Sequence, residues 1–204
     1  AKGLLPAVDA LLASAGLDIE AIERLAVDVG PGSFTGARIG VAFAKGLAFA
    51  RALPVVGVTS LEALAHAAAK SPRRPRAPLL PLRDARNGEA YFALYDLHAR
   101  LAAREAGPGA AAAIAACLDE RGIARVVALG EDAERLGVAL GVASRFAGVR
   151  TEPVAVASVL ALASPRFRSG ATDDPDLLAP HYLQPSAPEA KAARAPGGAE
   201  ERPA

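Results

Sequence analysis

The residues of this chain best suited to chemistry lie in one glycine-rich turn. Its glycines permit backbone angles that other residues avoid, and its hydroxyl residues are suited to capping the helix that follows. N–H groups at the start of a helix attract anions, so the turn is a candidate site close to an anion or a nucleotide. The candidate residues are Asp28, Gly30, Gly32, Ser33, Thr35, Gly36 and Arg38.

The spacing of the glycines matches neither of two common phosphate-binding motifs. In the phosphate loop G-x-x-x-x-G-K-[ST], Lys follows the second glycine, whereas Gly36 is followed by Ala37 and Arg38. The dinucleotide motif G-x-G-x-x-G would need a glycine one residue earlier than Gly36. A tight strand-to-helix turn whose glycines serve packing is therefore the alternative to an anion site.

The other reactive side chains form no evident catalytic set. Asp28 could act as a base or lie beside a phosphate or magnesium ion, but an Asp that caps the turn through local hydrogen bonds is the favoured interpretation. Ser33 lacks the G-x-S-x-G frame of a nucleophile. His66, His98 and His181 lie far apart, with no second His or Cys at ligand spacing. The sequence predicts neither a catalytic residue nor a metal site.

Composition narrows the class of protein. The 204 residues fit one domain or two small ones, and the net charge of +1 gives no electrostatic case for direct binding to nucleic acid or a membrane. No apolar run reaches membrane-spanning length and no segment resembles a signal peptide, so we expect a cytoplasmic chain. The single cysteine, Cys117, is expected to be a packed thiol, and the absence of Met suggests an N-terminally truncated piece.

Two strands and two helices must position the turn. Residues 25–29 form a short apolar run typical of a buried strand, and residues 37–53 predict a helix that ends before a proline. A second strand is predicted over residues 54–58, and Thr59 with Glu62 forms a capping box that opens another helix. This alternation predicts parallel strands joined by right-handed crossovers.

Two helices carry patterns suited to contact with another element. The first has apolar residues on one face and is expected to end at Gly16. The second has two rows of small residues, each of which could pack on the helix's own sheet or on a partner helix; two rows favour a second contact. The first helix offers Leu4, Leu5, Val8, Leu11, Leu12 and Ala15; the rows are Gly36, Gly40, Ala44 and Ala48, and Ala42, Gly46 and Ala50.

The second half is predicted to begin with a hairpin. Residues 70–78 are basic and proline-rich, which favours an exposed connection over a nucleic-acid patch because no aromatic residue accompanies them. Asn87-Gly88 is a hairpin turn signal between two strand-like runs. Further predictions are a strand at 100–105, a helix at 110–121, a strand at 124–129, helices at 132–140 and 154–163, and a loop at 169–180.

Five segments, in order, resemble the TsaB (YeaZ) family over most of residues 4–186. The glycine turn and its helix carry the most specific motif, G-P-G-S-F-T-G-x-R-I-G. The others are L-L-P at 4–6, G-V-T-S-L-E-A-L at 57–64, D-A-R-N-G-E-A-Y at 84–91 and P-H-Y-L at 180–183. Ala37 departs from the family, which usually has Leu there.

The resemblance implies an actin/hexokinase/Hsp70-like α/β fold with two ribonuclease-H-like lobes. Family members begin with an A-I-D-T-S-type strand and two more strands, whereas this chain begins at the L-L-P helix, so we expect an incomplete first lobe with an exposed apolar edge. On this basis the lobes are 1–70 and 79–185, with a linker at 71–78 and a disordered tail at 186–204.

The resemblance also implies a function in forming N6-threonylcarbamoyladenosine next to the tRNA anticodon. In this family the chain is a non-catalytic partner that binds and activates a TsaD-type threonylcarbamoyltransferase, with a TsaE-type ATPase in the same pathway. ATP and metal would then be bound by partner subunits, and this chain alone would bind no cofactor. It would contact tRNA only through the complex. A homodimer of this chain is a further possible assembly. The implied interface comprises Leu4, Leu5, Val8, Leu12, Gly36, Gly40, Ala44 and Gly46.

An enzyme of the same fold is the alternative function. A nucleotide-dependent phosphotransferase or ATPase would place Asp28 and the glycine turn at the phosphates. The missing first strand and the lack of a second set of acidic residues count against this reading.

Overall fold

Alternating helices and strands build two sheets. The computed structural model describes residues 3–86, 89–109 and 111–181, without the side chains of 102–109. The helices are α1 (Leu4–Ala15), α2 (Phe34–Arg51), α3 (Ser60–Lys70), α4 (Ala111–Asp119), α5 (Ala133–Ala139) and α6 (Val156–Ser169). The strands are β1 (Leu25–Asp28), β2 (Val55–Val58), β3 (Leu79–Arg86), β4 (Glu89–Tyr95), β5 (Leu101–Gly109), β6 (Val126–Leu129) and β7 (Phe146–Arg150).

The first sheet is the parallel pair β1–β2, joined through α2 as predicted. Leu25 lies opposite Val55, and Asp28 lies opposite Val58. Side chains alternate along β2, so Val55 packs on the α2 side while Val56 packs on the side of α3 and α6. The sheet is thereby covered by helices on both faces.

The second sheet has the strand order β5-β4-β3-β6-β7. β3 and β4 pair antiparallel from Leu79 opposite Tyr95 to Arg86 opposite Glu89, which confirms the predicted hairpin. Its turn residues, Asn87 and Gly88, lie outside the described residues. β6 is parallel to both β3 and β7.

Helix α3 lies between the two sheets. Leu61 and Leu64 pack on the five-stranded sheet, and Ala63 packs with Val56 of the first sheet. The opposite face of the five-stranded sheet is covered by α4 and α5 in a core with no solvent access at its centre. Fully buried members of that core are Leu80, Leu82, Leu94, Ile114 and Leu118.

After β7 the chain returns to the first sheet. Val159 of α6 packs against that sheet, and residues 171–178 then run along the outer edge of β2. The Asp173 N–H donates to the Val55 carbonyl at 2.9 Å, and the Gly57 N–H donates to Asp173 Oδ2 at 2.8 Å. This edge of the sheet is closed, whereas no described strand pairs with the other edge of β1.

Helix α1 has the predicted bounds but little packing. It ends at Gly16, whose φ is 66°, and none of its residues is buried. Leu5 is 57% exposed and Leu11 is 68% exposed. Like the other described helices, α1 is not both long and apolar enough to cross a membrane.

Several predicted element boundaries were wrong by three or more residues, and one strand was missed. β5, for example, continues to Gly109 rather than ending at residue 105. α6 continues past the predicted end at residue 163 to Ser169, with Pro165 inside it. α2 begins at Phe34, three residues early, because Ser33 caps it. β7 was missed since its sequence, Phe-Ala-Gly-Val-Arg, lacks a β-branched run. The predicted disordered tail lies outside the described residues, and the lobe boundaries stay a prediction.

Candidate functional site

A cleft of about 460 Å³ opens where the carboxyl end of β1 meets the start of α2. Parallel strands present their carboxyl ends as binding crevices in many α/β folds. Five of the seven candidate residues of the glycine turn line the cleft, together with two polar residues that were not predicted, Ser60 and Arg83. The five are Asp28, Gly30, Gly32, Ser33 and Gly36; Thr35 and Arg38 lie on the exposed side of the turn.

Asp28 is held by hydrogen bonds from two directions. Its Oδ1 accepts from the Gly30 N–H at 2.9 Å, and the Ser60 hydroxyl lies 2.7 and 2.8 Å from its two carboxylate oxygens. The Ser60 N–H also donates to the Gly30 carbonyl at 2.8 Å, and Ser60 is 1% exposed. These contacts confirm the capping interpretation of Asp28 and tie the glycine turn to the start of α3.

Ser33 is the N-cap of α2, as predicted. Its hydroxyl oxygen accepts from the Gly36 N–H at 3.2 Å, which satisfies one of the donors left open in the first helical turn. A Cβ at Gly36 would lie 3.3 Å from that oxygen, so a small residue keeps the cap in place. Nearby, the Arg38 guanidinium stacks 3.7 Å from the centroid of the Phe34 ring on the outer face.

Arg83 of β3 reaches across from the second sheet to the glycine turn. A Cβ at Gly32 would lie 2.9 Å from Arg83 Nη2, so the glycine makes room for the guanidinium. Arg83 Nη1 lies 3.5 Å from Glu131 Oε2, and the Arg83 side chain is 19% exposed. The cleft is therefore bounded by both sheets. Sequence spacing could not have found Arg83, because only the tertiary fold brings it to residue 32.

The first small-residue row of α2 mostly faces its own sheet. Ala44 is 6% exposed and Ala48 is 1% exposed, both in a core with Val29 and Val55. A Cβ at Gly40 would lie 4.0 Å from the Val27 side chain of β1. Ala44 and Gly40 therefore serve the packing that the sequence predicted for one row.

The second row is open. Ala42, Gly46 and Ala50 are exposed, and a Cβ at Gly46 would meet no atom within 4 Å. Of the α1 interface candidates, Leu5 is exposed, whereas Val8, Leu12 and the cleft-lining Leu4 are half-buried. The predicted interface residues thus divide between exposed positions and positions inside the lobe.

Asp84 and Arg86, in the segment that resembles D-A-R-x-G-E-x-Y, also form a turn. The Arg86 N–H donates to Asp84 Oδ1 at 2.7 Å, and this bond lowers the pKa of Asp84, with further help from Arg135 at 2.9 Å. Arg86 adopts a φ of 66° in this turn.

Within the described residues, no group of three or more His, Cys, Asp or Glu side chains is placed to hold a metal ion. The polar side chains that line the cleft are instead Asp28, Ser33, Ser60 and Arg83. Since Asp28 accepts from the Gly30 N–H and from the Ser60 hydroxyl, the arrangement stabilises the turn and shapes the cleft.

Comparison with known sequences gives consistent matches. Residues 1–134 match the family model described as "TsaD: tRNA N6-adenosine threonylcarbamoyltransferase". The "tRNA threonylcarbamoyladenosine biosynthesis protein TsaB" of Haemophilus influenzae is 42% identical over 91 residues, which are 45% of this chain and 38% of that protein. The chain thus spans less than two-fifths of the length of this curated relative.

Two solved structures from Pseudomonas aeruginosa share the architecture. A protein "with similarity to peptidase YEAZ" superposes with a TM-score of 0.71 and 29% identity, covering 90% of this chain and 84% of that one. "YeaZ" superposes with a TM-score of 0.66 and 28% identity, covering 88% and 82%. These matches confirm the actin-like α/β fold predicted from the motifs. The chain belongs to the tRNA N6-adenosine threonylcarbamoyltransferase family, and within it to the TsaB (YeaZ) members.

Proposed function

We propose that this chain is a non-catalytic subunit of tRNA N6-threonylcarbamoyladenosine synthesis, which binds and activates a TsaD-type threonylcarbamoyltransferase. The observation that carries the proposal is that α1 and one side of α2 expose apolar residues in a member of this family. On α2 this side is the second small-residue row, Ala42, Gly46 and Ala50, which we call the outer row. Soluble chains rarely leave such a surface uncovered, so a partner is expected to bury it.

The contacts available on this surface suit helix-to-helix packing. The small side chains of Ala42, Gly46 and Ala50 allow another backbone to approach closely. Phe49, which precedes Ala50 in α2, is 56% exposed, and Leu5 on α1 is 57% exposed, so both helices offer apolar area. Burying that area contributes about 25 cal/mol per Å² before the cost of association is subtracted.

The remaining parts of the reaction are assigned to partners in this proposal. The TsaD-type subunit supplies the metal and the transfer chemistry, a TsaE-type ATPase supplies ATP turnover, and tRNA is modified in the complex. This chain binds no cofactor by itself. A homodimer through the same surface would compete with the TsaD-type subunit, so the two assemblies are mutually exclusive here.

The enzyme alternative draws little support from the cleft. A phosphotransferase or ATPase would need further acidic or basic groups beside Asp28, whereas Asp28 is the only Asp, Glu or His among the described residues that line the cleft. We therefore expect the chain alone to hydrolyse ATP no faster than background, measured by phosphate release. Turnover that disappears in Asp28→Ala would promote the enzyme instead.

Gly46→Leu tests the interface. A Cβ at residue 46 would meet no atom within 4 Å and Gly46 is exposed, so the chain should fold normally, but a partner helix packed there would be pushed away. Overpacking costs about 1–3 kcal/mol, which corresponds to association with the TsaD-type subunit weakened roughly tenfold. Titration calorimetry measures the affinity, and threonylcarbamoyl transfer to tRNA in the reconstituted system should fall in parallel.

Ala161→Leu provides the matched control. Ala161 is an exposed helical alanine on α6, away from α1 and the outer row of α2. This variant should bind the TsaD-type subunit like the unmodified chain. Equal affinity for Gly46→Leu and Ala161→Leu would place the partner surface elsewhere on the molecule.

A further inference from the structure

One strongly basic surface has no part in the interface described above. Lys70 ends α3, and the connection to β3 carries three arginines without an acidic residue. Lys70, Arg73, Arg74 and Arg76 are all exposed. We call these four residues the linker patch. Its four positive charges exceed the net charge of the whole chain, which is +1.

Several arginines elsewhere in the described residues pair with a carboxylate, whereas those of the linker patch do not. Arg135 and Arg145 each lie 2.9 Å or less from an Asp oxygen, and Arg166 lies 2.7 Å from Asp173. None of the four patch residues forms an ion pair with a residue in the described ranges. Their charge is therefore not neutralised within this part of the chain.

The backbone beneath the patch is held to the second sheet. Arg150 at the end of β7 donates through Nη2 to the Arg73 carbonyl, and Pro72 and Pro75 restrict the connection. A small cavity of about 240 Å³ adjoins the segment and is lined by Ser71, Arg150 and one carboxylate, Glu152. The charges are thus presented from an anchored segment.

We propose that the linker patch contacts the phosphate backbone of RNA, so that this subunit contributes directly to tRNA binding within the complex. The proposal rests on the proposed function for the identity of the RNA. Arginines with no internal partner suit phosphate oxygens. Residues 70–78 offer no aromatic side chain for base stacking, so we expect the patch to contact phosphate oxygens independently of base sequence.

The test replaces three charges at once. In the complex reconstituted with the TsaD-type subunit, the triple variant Arg73→Gln, Arg74→Gln, Arg76→Gln should bind an unmodified tRNA about tenfold more weakly at 0.15 M salt. The slope of log affinity against log salt should become shallower by about 0.7–0.9 for each phosphate that the variant no longer neutralises. The KM for tRNA should rise while the rate at saturating tRNA stays unchanged.

Two control variants separate the patch from net charge. The triple variant Arg100→Gln, Arg121→Gln, Arg168→Gln removes three other exposed arginines and should leave the salt slope unchanged. Glu152→Gln removes a carboxylate from the cavity that Ser71 also lines and should tighten tRNA binding by about twofold, an effect of the opposite sign. An equal decrease in tRNA affinity in both triple variants would show that only net charge matters and would overturn the proposal.

The outcomes also separate this inference from the proposed function. Binding of the TsaD-type subunit without tRNA should be the same for the patch variant and the unmodified chain. If the unmodified chain does not bind that subunit, the proposed function fails. The linker patch is then tested by the same salt titration of tRNA binding with the chain alone, in which the patch variant should again bind more weakly than the unmodified chain. Capture of the chain by phosphatidylserine vesicles but not by tRNA would assign the patch to a lipid surface and overturn the proposal.

Discussion

The two sheets differ in how completely the chain covers them. Both sheets have helices on both faces, but the five-stranded sheet has a core in which Leu80, Leu82 and Ile114 are fully buried. In the first sheet, all four residues of β1 are partly exposed, and the neighbouring helix α1 buries none of its residues. The five-stranded sheet therefore has a fully buried core, while β1 and α1 present apolar surface that another element can bury.

The two edges of the first sheet sharpen the contrast. Residues 171–178 close the β2 edge through Asp173 and Arg166, whereas the β1 edge pairs with no described strand. Unpaired strand edges invite pairing with other chains, so a protected edge and an open one have different consequences.

The largest effect is expected from removing a side chain from the core between the five-stranded sheet and helices α4 and α5, which we call the second core. Leu80→Ala removes a side chain with no solvent exposure and should lower the free energy of unfolding by about 2–5 kcal/mol, because a cavity remains. Leu11→Ala, on α1 and 68% exposed, should change it by less than about 0.5 kcal/mol. Urea titration measures both. Similar decreases in the free energy of unfolding for both variants would contradict the difference described between the two sheets.

Two helical glycines should respond with opposite signs. In Gly137→Ala, the new Cβ would lie 2.2 Å from the Phe146 ring in the second core, which should cost about 1–3 kcal/mol through overpacking. In Gly46→Ala, the Cβ meets nothing within 4 Å, so helix propensity should stabilise the chain by up to about 1 kcal/mol. Melting temperatures should therefore move in opposite directions; a lower value for Gly46→Ala would mean that α2 is already covered there.

The closed edge depends on one carboxylate. Asp173→Ala removes the acceptor of the Gly57 N–H and the partner of Arg166, and should destabilise the chain by about 1–3 kcal/mol. The exposed neighbour Asp176, whose side chain makes no hydrogen bond with a described residue, serves as control through Asp176→Ala. Hydrogen exchange at Gly57 should accelerate in the first variant alone. Unchanged exchange in Asp173→Ala would contradict this role for the segment along β2.

The smallest effect concerns Glu62, on the helix between the sheets. Burial raises the pKa of Glu62, partly offset by Arg166, so the folded state disfavours the charged carboxylate. Its contribution to stability is therefore lost as pH rises above the ordinary value of 4.5 through the folded pKa. Glu62→Gln should be more stable at pH 7 by less than about 1 kcal/mol and should flatten the pH profile of the melting temperature.

Identical melting profiles across the acidic range for Glu62→Gln and the unmodified chain would show that solvent screens this carboxylate.

Most local elements could be predicted because their signals are short-range. Thr59 accepts from the Glu62 N–H at 3.2 Å, as the capping box requires, and Gly16 ends α1. The errors occurred where tertiary packing overrides local preference. Pro165 lies within α6 because that helix packs on the first sheet, and β7 pairs with β6 despite a weak strand signal.

Only the part of the candidate site that is contiguous in sequence was predicted. The glycine turn and Asp28 are contiguous in sequence, so their spacing identifies them. Ser60 and Arg83 join them from other elements, and no local pattern relates Arg83 to Gly32. Likewise, periodicity revealed two small-residue rows on α2 but could not assign them, because both repeat at helical spacing.

By itself, the sequence determined the strand–turn–helix motif, the parallel crossover, the hairpin and the family, since caps, glycine spacing and apolar periodicity act over a few residues. Tertiary structure alone decided which row of α2 is buried, which edge of the first sheet is closed, and which arginine lies over the glycine turn. Those outcomes depend on contacts between residues far apart in sequence. Their energies arise only when both surfaces are in place.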